Sequence, residues 1–207
     1  MDVRRRVITL LEEADWGEDT ALIEGLKAWN LYPVFLNALA NLQVEALYKS
    51  PVHGSGHINR VMLMAALIAW QEDVTEAFLQ QYLLACSYHD VGRYFDGLDL
   101  DHGSRSAEKL ADLTGYQGEI LLELKAAVAA HSQPDHLMED MIALYSPADL
   151  KKTRCLACLL KDADNLDRVR LGDLKPEFLR HTSAKALVDF SFRLLVLDQT
   201  FKTTKAI

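Results

Sequence analysis

The chain has 207 residues, of which 50% are hydrophobic, so we expect one domain with a substantial core and exclude general disorder. Lys and Arg total 22 against 30 Asp and Glu, and the formal net charge of -8 argues against a broad nucleic-acid-binding surface. Three cysteines cannot all pair, nothing near Met1 resembles a signal peptide, and no apolar run is long enough to span a membrane. We therefore expect a reduced, cytoplasmic protein without a membrane partner.

The first 50 residues have helical periodicity. We predict helices over Arg4–Ala14, Thr20–Trp29 and Val34–Tyr48, with Pro33 at the first turn of the third. We interpret this leader as helices packed on the core, which shape the ligand pocket or form a homodimer; the sequence leaves both open. The basic cluster Arg4–Arg6 is interpreted as a solvated first turn rather than a phosphate-binding arm.

A strongly apolar helix is predicted from His57 to Trp70, and we expect it to be central because it is hydrophobic nearly all round. The remaining predicted helices are, in chain order, Val74–Asp90, Ser104–Leu113, Gly118–His131, Leu150–Asp164 and Ala184–Leu197, the last capped by Ser183. No sustained alternation of strand type occurs, so the predicted fold class is all-α.

The pair His89-Asp90 ends one of these helices and offers one imidazole and one carboxylate. Adjacent residues can share a metal only at a helix end, where both side chains turn inward, and Val91-Gly92 is consistent with such an end. His57 and Asp164 must then come from other helices. Mixed imidazole and carboxylate ligands suit manganese, iron, nickel, cobalt, zinc or magnesium, and the sequence does not choose among them.

The order His57, His89-Asp90, Asp164 resembles the HD-domain superfamily of metal-dependent phosphohydrolases, from about residue 53 to residue 170. The resemblance implies an all-α HD-domain helical bundle in one domain over 1–207. Its predicted parts are a helical extension (1–50), a metal-binding core (51–170) and a C-terminal helical segment (171–207).

Two further histidines, His102 and His131, stand in the order that two-metal members of the superfamily show. The resemblance implies that they bind a second metal and that Asp90 bridges the two ions. The alternative is that both histidines contact substrate or orient ligands. The sequence departs from the cyclic-dinucleotide phosphodiesterase subgroup, because no Gly-Tyr-Pro follows the His-Asp pair and no tandem histidine occurs at the second position.

A bound phosphate needs cations beyond the metal, and arginine offers bidentate geometry. Arg93 and Arg168 are the candidate catalytic residues, with a plain surface ion pair as the alternative for each. Asp162 and Asp167 are expected to orient ligands or to face arginines.

The remaining histidines and cysteines have structural interpretations. His53 is expected in a loop near the cavity, and His136 and His181 on the surface. Cys155 and Cys158 have the spacing of a redox motif but lie in an apolar helix, so buried thiols are predicted.

The resemblance implies a hydrolase that cleaves a phosphate ester through a metal-activated water, with one or two divalent ions per chain. The expected substrate is a nucleotide or another small phosphorylated metabolite, and a phosphomonoesterase and a phosphodiesterase are both open. Two other functions also stay open: a di-iron HD-type oxygenase and a non-catalytic, nucleotide-binding regulatory module.

Overall fold

The computed structural model describes residues 3–204, with side chains from 6 to 201. Within this range the chain forms eleven α-helices joined by loops and short 3₁₀ turns, and no strand occurs, which confirms the all-α prediction. The helices are α1 (Val3–Glu13), α2 (Thr20–Ala28), α3 (Tyr32–Ala40), α4 (Ser55–Gln71), α5 (Glu76–Tyr88), α6 (His102–Thr114), α7 (Gly118–His131), α8 (Met138–Ala143), α9 (Leu150–Leu166), α10 (Thr182–Ala186) and α11 (Val188–Thr204).

Helix α4 lies at the centre of the fold, as predicted. Every residue from His57 to Ala69 is buried, so the helix has neighbours on all sides. It packs against α5, α9 and α1, and α7 in turn packs between α6 and α9. One hydrophobic cluster extends from Val7 on α1 to Leu194 on α11, so the ends of the described chain close over the same core.

Helix α2 of the leader approaches α4 closely at Gly25. A Cβ atom on Gly25 of α2 would lie 2.3 Å from Cη2 of Trp70, near the end of α4. No larger residue fits there without displacing the indole ring. This contact holds α2 against the central helix.

The helix predicted over Val34–Tyr48 is wrong in its second half. Helix α3 ends at Ala40, where the Nδ2 group of Asn41 donates to the Asn37 carbonyl oxygen at 2.9 Å. The same carbonyl also accepts from the backbone N–H of Asn41 at 3.0 Å, so both bonds lie at the last turn of the helix. A short 3₁₀ turn, Val44–Ala46, follows before α4.

The single helix predicted over Ala184–Leu197 is also wrong. Helix α10 ends before Leu187, and α11 begins at Val188. Ser183 lies inside α10 instead of capping it, and its Oγ donates to Oε1 of Glu72 at 2.5 Å. This bond ties α10 to the C-terminal end of α4.

None of the helices described between residues 3 and 204 combines the length and the apolar character that crossing a bilayer requires. The division of the chain into an extension, a core and a C-terminal segment stays a prediction.

Candidate metal centre

Five helices bring the predicted ligands together, and His102 is the first residue of one of them, α6. His57 lies in the first turn of α4, and Asp164 lies in the last turn of α9. His89 and Asp90 follow directly after α5, at a helix end as predicted. His131 is the last residue of α7. The polar groups therefore lie at helix termini, where side chains can turn inward without interrupting the apolar packing.

The first group of ligand atoms consists of His57, His89 and Asp164. The two Nε2 atoms of His57 and His89 lie 3.2 Å apart. Oδ1 of Asp164 lies 3.3 Å from Nε2 of His57 and 3.7 Å from Nε2 of His89. Ligands bound at about 2.1 Å from one ion lie about 3–3.5 Å from each other, so these separations fit a shared metal.

Asp90 divides its two carboxylate oxygens between two groups of imidazoles. Its Oδ2 lies 3.6 Å from Nε2 of His57 and 3.8 Å from Nε2 of His89. Its Oδ1 lies 3.1 Å from Nε2 of His102 and 4.0 Å from Nε2 of His131, and these two nitrogens are 2.9 Å apart. One carboxylate thus faces both groups of ligand atoms, which is the arrangement of a bridging ligand.

The Nδ1 atoms fix the orientation of all four imidazoles. His89 donates from Nδ1 to the Cys86 carbonyl at 2.9 Å, and His131 donates to the Val128 carbonyl. His102 donates likewise to the Asp99 carbonyl. Because a carbonyl oxygen has no proton to give, the proton must lie on Nδ1, and each Nε2 presents a lone pair.

His57 has the same orientation through a carboxylate, since its Nδ1 donates to Oδ2 of Asp167 at 2.7 Å. Four Nε2 lone pairs therefore lie close to the carboxylates of Asp90 and Asp164. Such a set of acceptors requires a cation among them, either a proton or a metal ion. The residues present fit a divalent ion.

Asp167 belongs to a buried ion-pair network that reaches α1 and α11, the first and last of the described helices. Arg60 donates from Nε to Oδ1 of Asp167 at 2.6 Å and from Nη2 to Oδ2 at 2.9 Å. Its Nη1 donates to Oδ2 of Asp198 on α11 at 2.7 Å. Arg6 on α1 donates from Nε to Oδ1 of Asp198 at 2.5 Å. The expectation that Asp167 faces arginines agrees with these contacts, and its role in orienting a ligand stays a prediction.

The interpretation of Arg4–Arg6 as a solvated turn is wrong for Arg6, whose guanidinium pairs with buried Asp198 instead of facing solvent. The side chains of Arg4 and Arg5 lie outside the described residues. Arg60 and Asp198 were not singled out from the sequence, because nothing local distinguishes their charges from those on a solvated helix face.

Burial and neighbouring charges favour the neutral form of His57 and His131. Burial, and then Arg170, lower the pKa of His57 to about 4. Burial, and then His102 and His89, hold the pKa of His131 well below its usual value. Both imidazoles are therefore neutral, which is the form that binds a metal.

The two carboxylates remain ionised for a different reason. Burial alone would raise the pKa of Asp90 and Asp164, but the neighbouring imidazoles, His89 foremost, hold both values well below the usual range. Burial likewise works against a charge on His89, yet Asp90 and Asp164 raise its pKa. A proton on Nε2 of His89 would compete directly with a metal.

Two glycines allow the second group of ligands to approach the first. A Cβ atom on Gly92 would lie 2.5 Å from the His102 carbonyl oxygen, and one on Gly103 would lie 2.7 Å from the Val128 carbonyl oxygen. The loop after Asp90 thus runs directly against α6, and α6 crosses α7 at backbone contact. Gly92 serves this close approach rather than a left-handed helix cap.

Arg93 lies against the second group of ligands. Its Nε donates to Oδ1 of Asp90 at 2.8 Å, and its Nη2 lies 3.3 Å from Nε2 of His102. Arg168 lies farther out. It pairs with Asp173, and 41% of its side chain is exposed. The catalytic assignment of both arginines stays a prediction.

His53 lies in the loop before α4, near the cavity as expected, and it also contacts the site. Its Nδ1 is 2.9 Å from Oδ2 of Asp90 and 3.1 Å from Nη2 of Arg170. Arg170 also donates from Nη1 to the Asp167 carbonyl oxygen at 2.9 Å, so it links this loop to the end of α9. The direct contact between His53 and Asp90 did not follow from the sequence.

Asp162 fixes the segment before α10. It accepts from the backbone N–H of Arg180 at 3.0 Å, from Nη1 of Arg180 at 2.9 Å and from Nδ1 of His181 at 2.8 Å. The prediction that Asp162 faces an arginine agrees with these contacts. The surface prediction is wrong for His181, which is partly buried against Asp162, whereas His136 is exposed as expected.

The prediction of two buried thiols is wrong for Cys155, which is exposed, while Cys158 is partly buried. Helix α9 turns the first of these residues outward. Cys86, in α5, is the fully buried thiol of the three.

A cavity of about 360 Å³ connects the ligand atoms with solvent. His131 and Asp164 line its inner end, and the side chain of Asp164 is 25% exposed there. A second cavity of about 280 Å³, lined by Arg168 among others, shares Asn165 and Phe178 with the first. Cavities of these volumes are suitable for a small molecule rather than a polymer.

An all-α fold with an ordered His, His-Asp and Asp set at helix ends defines a helical domain with a candidate metal site. The chain belongs to the HD-domain family, whose model matches residues 54–169, more than half of the chain. Members of this family are generally metal-dependent phosphohydrolases that bind divalent metals. No curated protein and no solved structure gave a significant match.

Proposed function

We propose that this protein is a phosphohydrolase that uses divalent metal ions to cleave a phosphate ester of a nucleotide or another small phosphorylated metabolite. The observation that carries the proposal is the convergence of four imidazole Nε2 atoms on the two oxygens of Asp90. Family membership supports metal-dependent hydrolysis in general, and the cavity volume of about 360 Å³ supports a small substrate.

In this proposal His57, His89, Asp90 and Asp164 hold the first metal ion, and Asp90, His102 and His131 hold a second. Bound divalent ions would supply a water of lowered pKa and Lewis-acid stabilisation of a phosphoryl oxygen. The shared carboxylate of Asp90 sets the spacing between the two groups of ligands.

The arginines of the site would position the ligands and neutralise negative charge on the substrate. Arg93 holds Oδ1 of Asp90 in place and adds a positive charge beside His102, where negative charge on a phosphoryl group would need it. Arg168 lies in the adjoining cavity, where release from Asp173 would let it contact the organic part or the phosphate of a substrate. The buried position of His57 and His89 excludes bulk water from the inner end of the site.

The proposal is tested by elemental analysis of purified protein together with a screen for phosphate release from small phosphate esters. The wild type is compared with Asp90→Ala and with Asp112→Ala, a control at an exposed position on α6. We expect bound metal and phosphate release in the wild type and in Asp112→Ala, and loss of both in Asp90→Ala. Absence of metal from reloaded wild type would contradict the proposal.

A further inference from the structure

The cavity beside the candidate metal centre contains two cationic side chains that the ligand set does not use. Lys161 and Arg180 line it together with the candidate ligands His131 and Asp164. Lys161 precedes Asp164 by one turn of α9, so both side chains lie on the same side of the helix. An anion in this cavity would therefore contact the cations and the metal centre at once.

Lys161 is buried, but the carboxylate that pairs with it is exposed. Its residue exposure is 6%, and its Nζ donates to the Gln133 carbonyl oxygen at 2.5 Å and pairs with Oδ1 of Asp135 at 2.9 Å. A buried ammonium group normally has a buried partner, because desolvation of the charge is costly. Here the partner is a side chain that is 59% exposed.

The guanidinium group of Arg180 is fixed by buried Asp162 through Nη1, and its Nη2 contacts the same exposed carboxylate as Lys161. Its Nη1 donates to Oδ1 of buried Asp162 at 2.9 Å and to the Phe178 carbonyl oxygen at 3.0 Å. Its Nη2 donates to Oδ1 of Asp135, the oxygen that also contacts Lys161. The two cations thus stay in place if Asp135 moves away.

Asp135 lies in the 3₁₀ turn Asp135–Leu137, between α7 and α8. One carboxylate oxygen bound by a lysine and an arginine occupies the position that a phosphate oxygen takes in a phosphate-binding site. The turn lies at the surface, so the carboxylate can leave without exposing the core.

We propose that Lys161 and Arg180 form a subsite for a dianionic phosphate group, and that Asp135 is an internal carboxylate that this phosphate displaces. The inference rests on the proposed function in assigning the phosphate to the substrate of the metal centre. A phosphate monoester carries close to two negative charges near neutral pH and presents three terminal oxygens, whereas a diester carries one charge. Two cations therefore select monoesters over diesters.

The test measures binding of inorganic phosphate and of dimethyl phosphate to metal-loaded protein by titration calorimetry. The variants are Asp135→Asn and Lys161→Met, with Asp140→Asn as a control for loss of one exposed carboxylate on α8. Metal content of each variant is measured by elemental analysis, so that a change in phosphate affinity is not a change in metal loading.

We expect Asp135→Asn to bind phosphate about three- to tenfold more tightly than wild type, and Lys161→Met to bind it at least about tenfold more weakly. Asp140→Asn should match wild type, and dimethyl phosphate should bind at least about tenfold more weakly than phosphate. The subsite would be overturned if Asp135→Asn bound phosphate no more tightly than Asp140→Asn does. It would also be overturned if phosphate and dimethyl phosphate bound equally well. Asp135 is exposed, so this variant remains informative if Lys161→Met does not fold.

Failure of the subsite and failure of the proposed function give different results. Suppose that Asp135→Asn binds phosphate more tightly and Lys161→Met more weakly, while no ester is hydrolysed. This result would support the subsite and count against the phosphohydrolase. Ester hydrolysis with unchanged phosphate affinity in Asp135→Asn would support the phosphohydrolase and overturn the subsite.

Discussion

Asp167 accepts a hydrogen bond of 2.7 Å from Nδ1 of His57, and this contact joins the candidate metal centre to both ends of the described chain. The same carboxylate is bound by Arg60, which continues to Asp198 on α11 and through it to Arg6 on α1. The helices outside the HD-domain match thus help to hold an imidazole of the site. A structural role for the leader follows directly from this network.

The first prediction concerns Asp167→Asn. The amide keeps the shape of the side chain but loses the charge that fixes His57 in its Nδ1–H tautomer and pairs with Arg60. Loss of such an outer partner lowers metal affinity by about 10–100-fold. The measurement is a competition titration of the metal against a chelator of known affinity.

The control for this prediction is Glu139→Gln, which removes an exposed carboxylate that pairs with Arg154. It should leave metal affinity within about twofold of wild type. Equal affinities in Asp167→Asn and Glu139→Gln would show that Asp167 does not support the metal centre.

A second prediction concerns the crossing of α6 and α7 at Gly103. A Cβ atom there would lie 2.7 Å from the Val128 carbonyl oxygen and 2.6 Å from Oγ of Ser132. In Gly103→Ala the two helices must separate, which moves His102 away from His131 and costs about 1–3 kcal/mol of stability. We expect about one metal ion per chain to be lost relative to wild type, as elemental analysis and thermal unfolding together would show.

Gly97→Ala is the matched control, because its new Cβ atom would meet only side-chain atoms of Phe95, at 3.1 Å and beyond. This ring is half exposed and can move. Unchanged metal content in Gly103→Ala, with normal stability, would contradict the role of the helix crossing.

How far the sequence predicted this site depends on the range of the interactions. The pair His89-Asp90 was predictable because the two residues are adjacent, and a break in helical periodicity beside them indicates a helix end. His57 and Asp164 were placed by their order along the chain and by resemblance to a family. The all-α fold followed from apolar periodicity, which is a local property of each helix.

The residues that position the ligands could not be predicted in the same way. Arg60 and Asp167 are 107 positions apart, and Lys161 and Arg180 lie on different elements that meet only after folding. Their charges follow no period that distinguishes them from solvated residues. The helix breaks at Asn41 and Leu187 were missed because no Pro or Gly marks either position in the sequence.

A third prediction concerns Arg93→Met. The methionine keeps much of the aliphatic length but removes the donor to Oδ1 of Asp90 and the charge beside His102. If Arg93 stabilises the developing charge on a phosphoryl group, kcat/KM for phosphate release should fall about 10²-fold while metal content is retained. Arg154→Met, which removes an arginine from an exposed ion pair, serves as the control. A loss of metal in parallel with activity would indicate that the hydrogen bond to Asp90, and not the charge beside His102, is the larger contribution of Arg93.

The last prediction is a pH dependence of stability from His181. Its Nδ1 contacts Oδ2 of Asp162 at 2.8 Å, and this hydrogen bond, followed by one with Cys155, raises the pKa of the imidazole from 6.5 to about 9. A pKa that is higher in the folded state means that the pair stabilises fully below the unfolded value of 6.5. The contribution is lost as pH rises from there through about 9.

We therefore expect the Tm of wild type to exceed that of His181→Gln below pH 6.5, and the difference to disappear above about pH 9. Because the imidazole is only half-buried, the contribution is on the order of 1 kcal/mol, or about 2–4 °C in Tm. His136→Gln, at an exposed position, should keep the full pH dependence of wild type. A Tm difference between wild type and His181→Gln that does not change across this pH range would mean that the contact with Asp162 stabilises the fold without the charge on the imidazole.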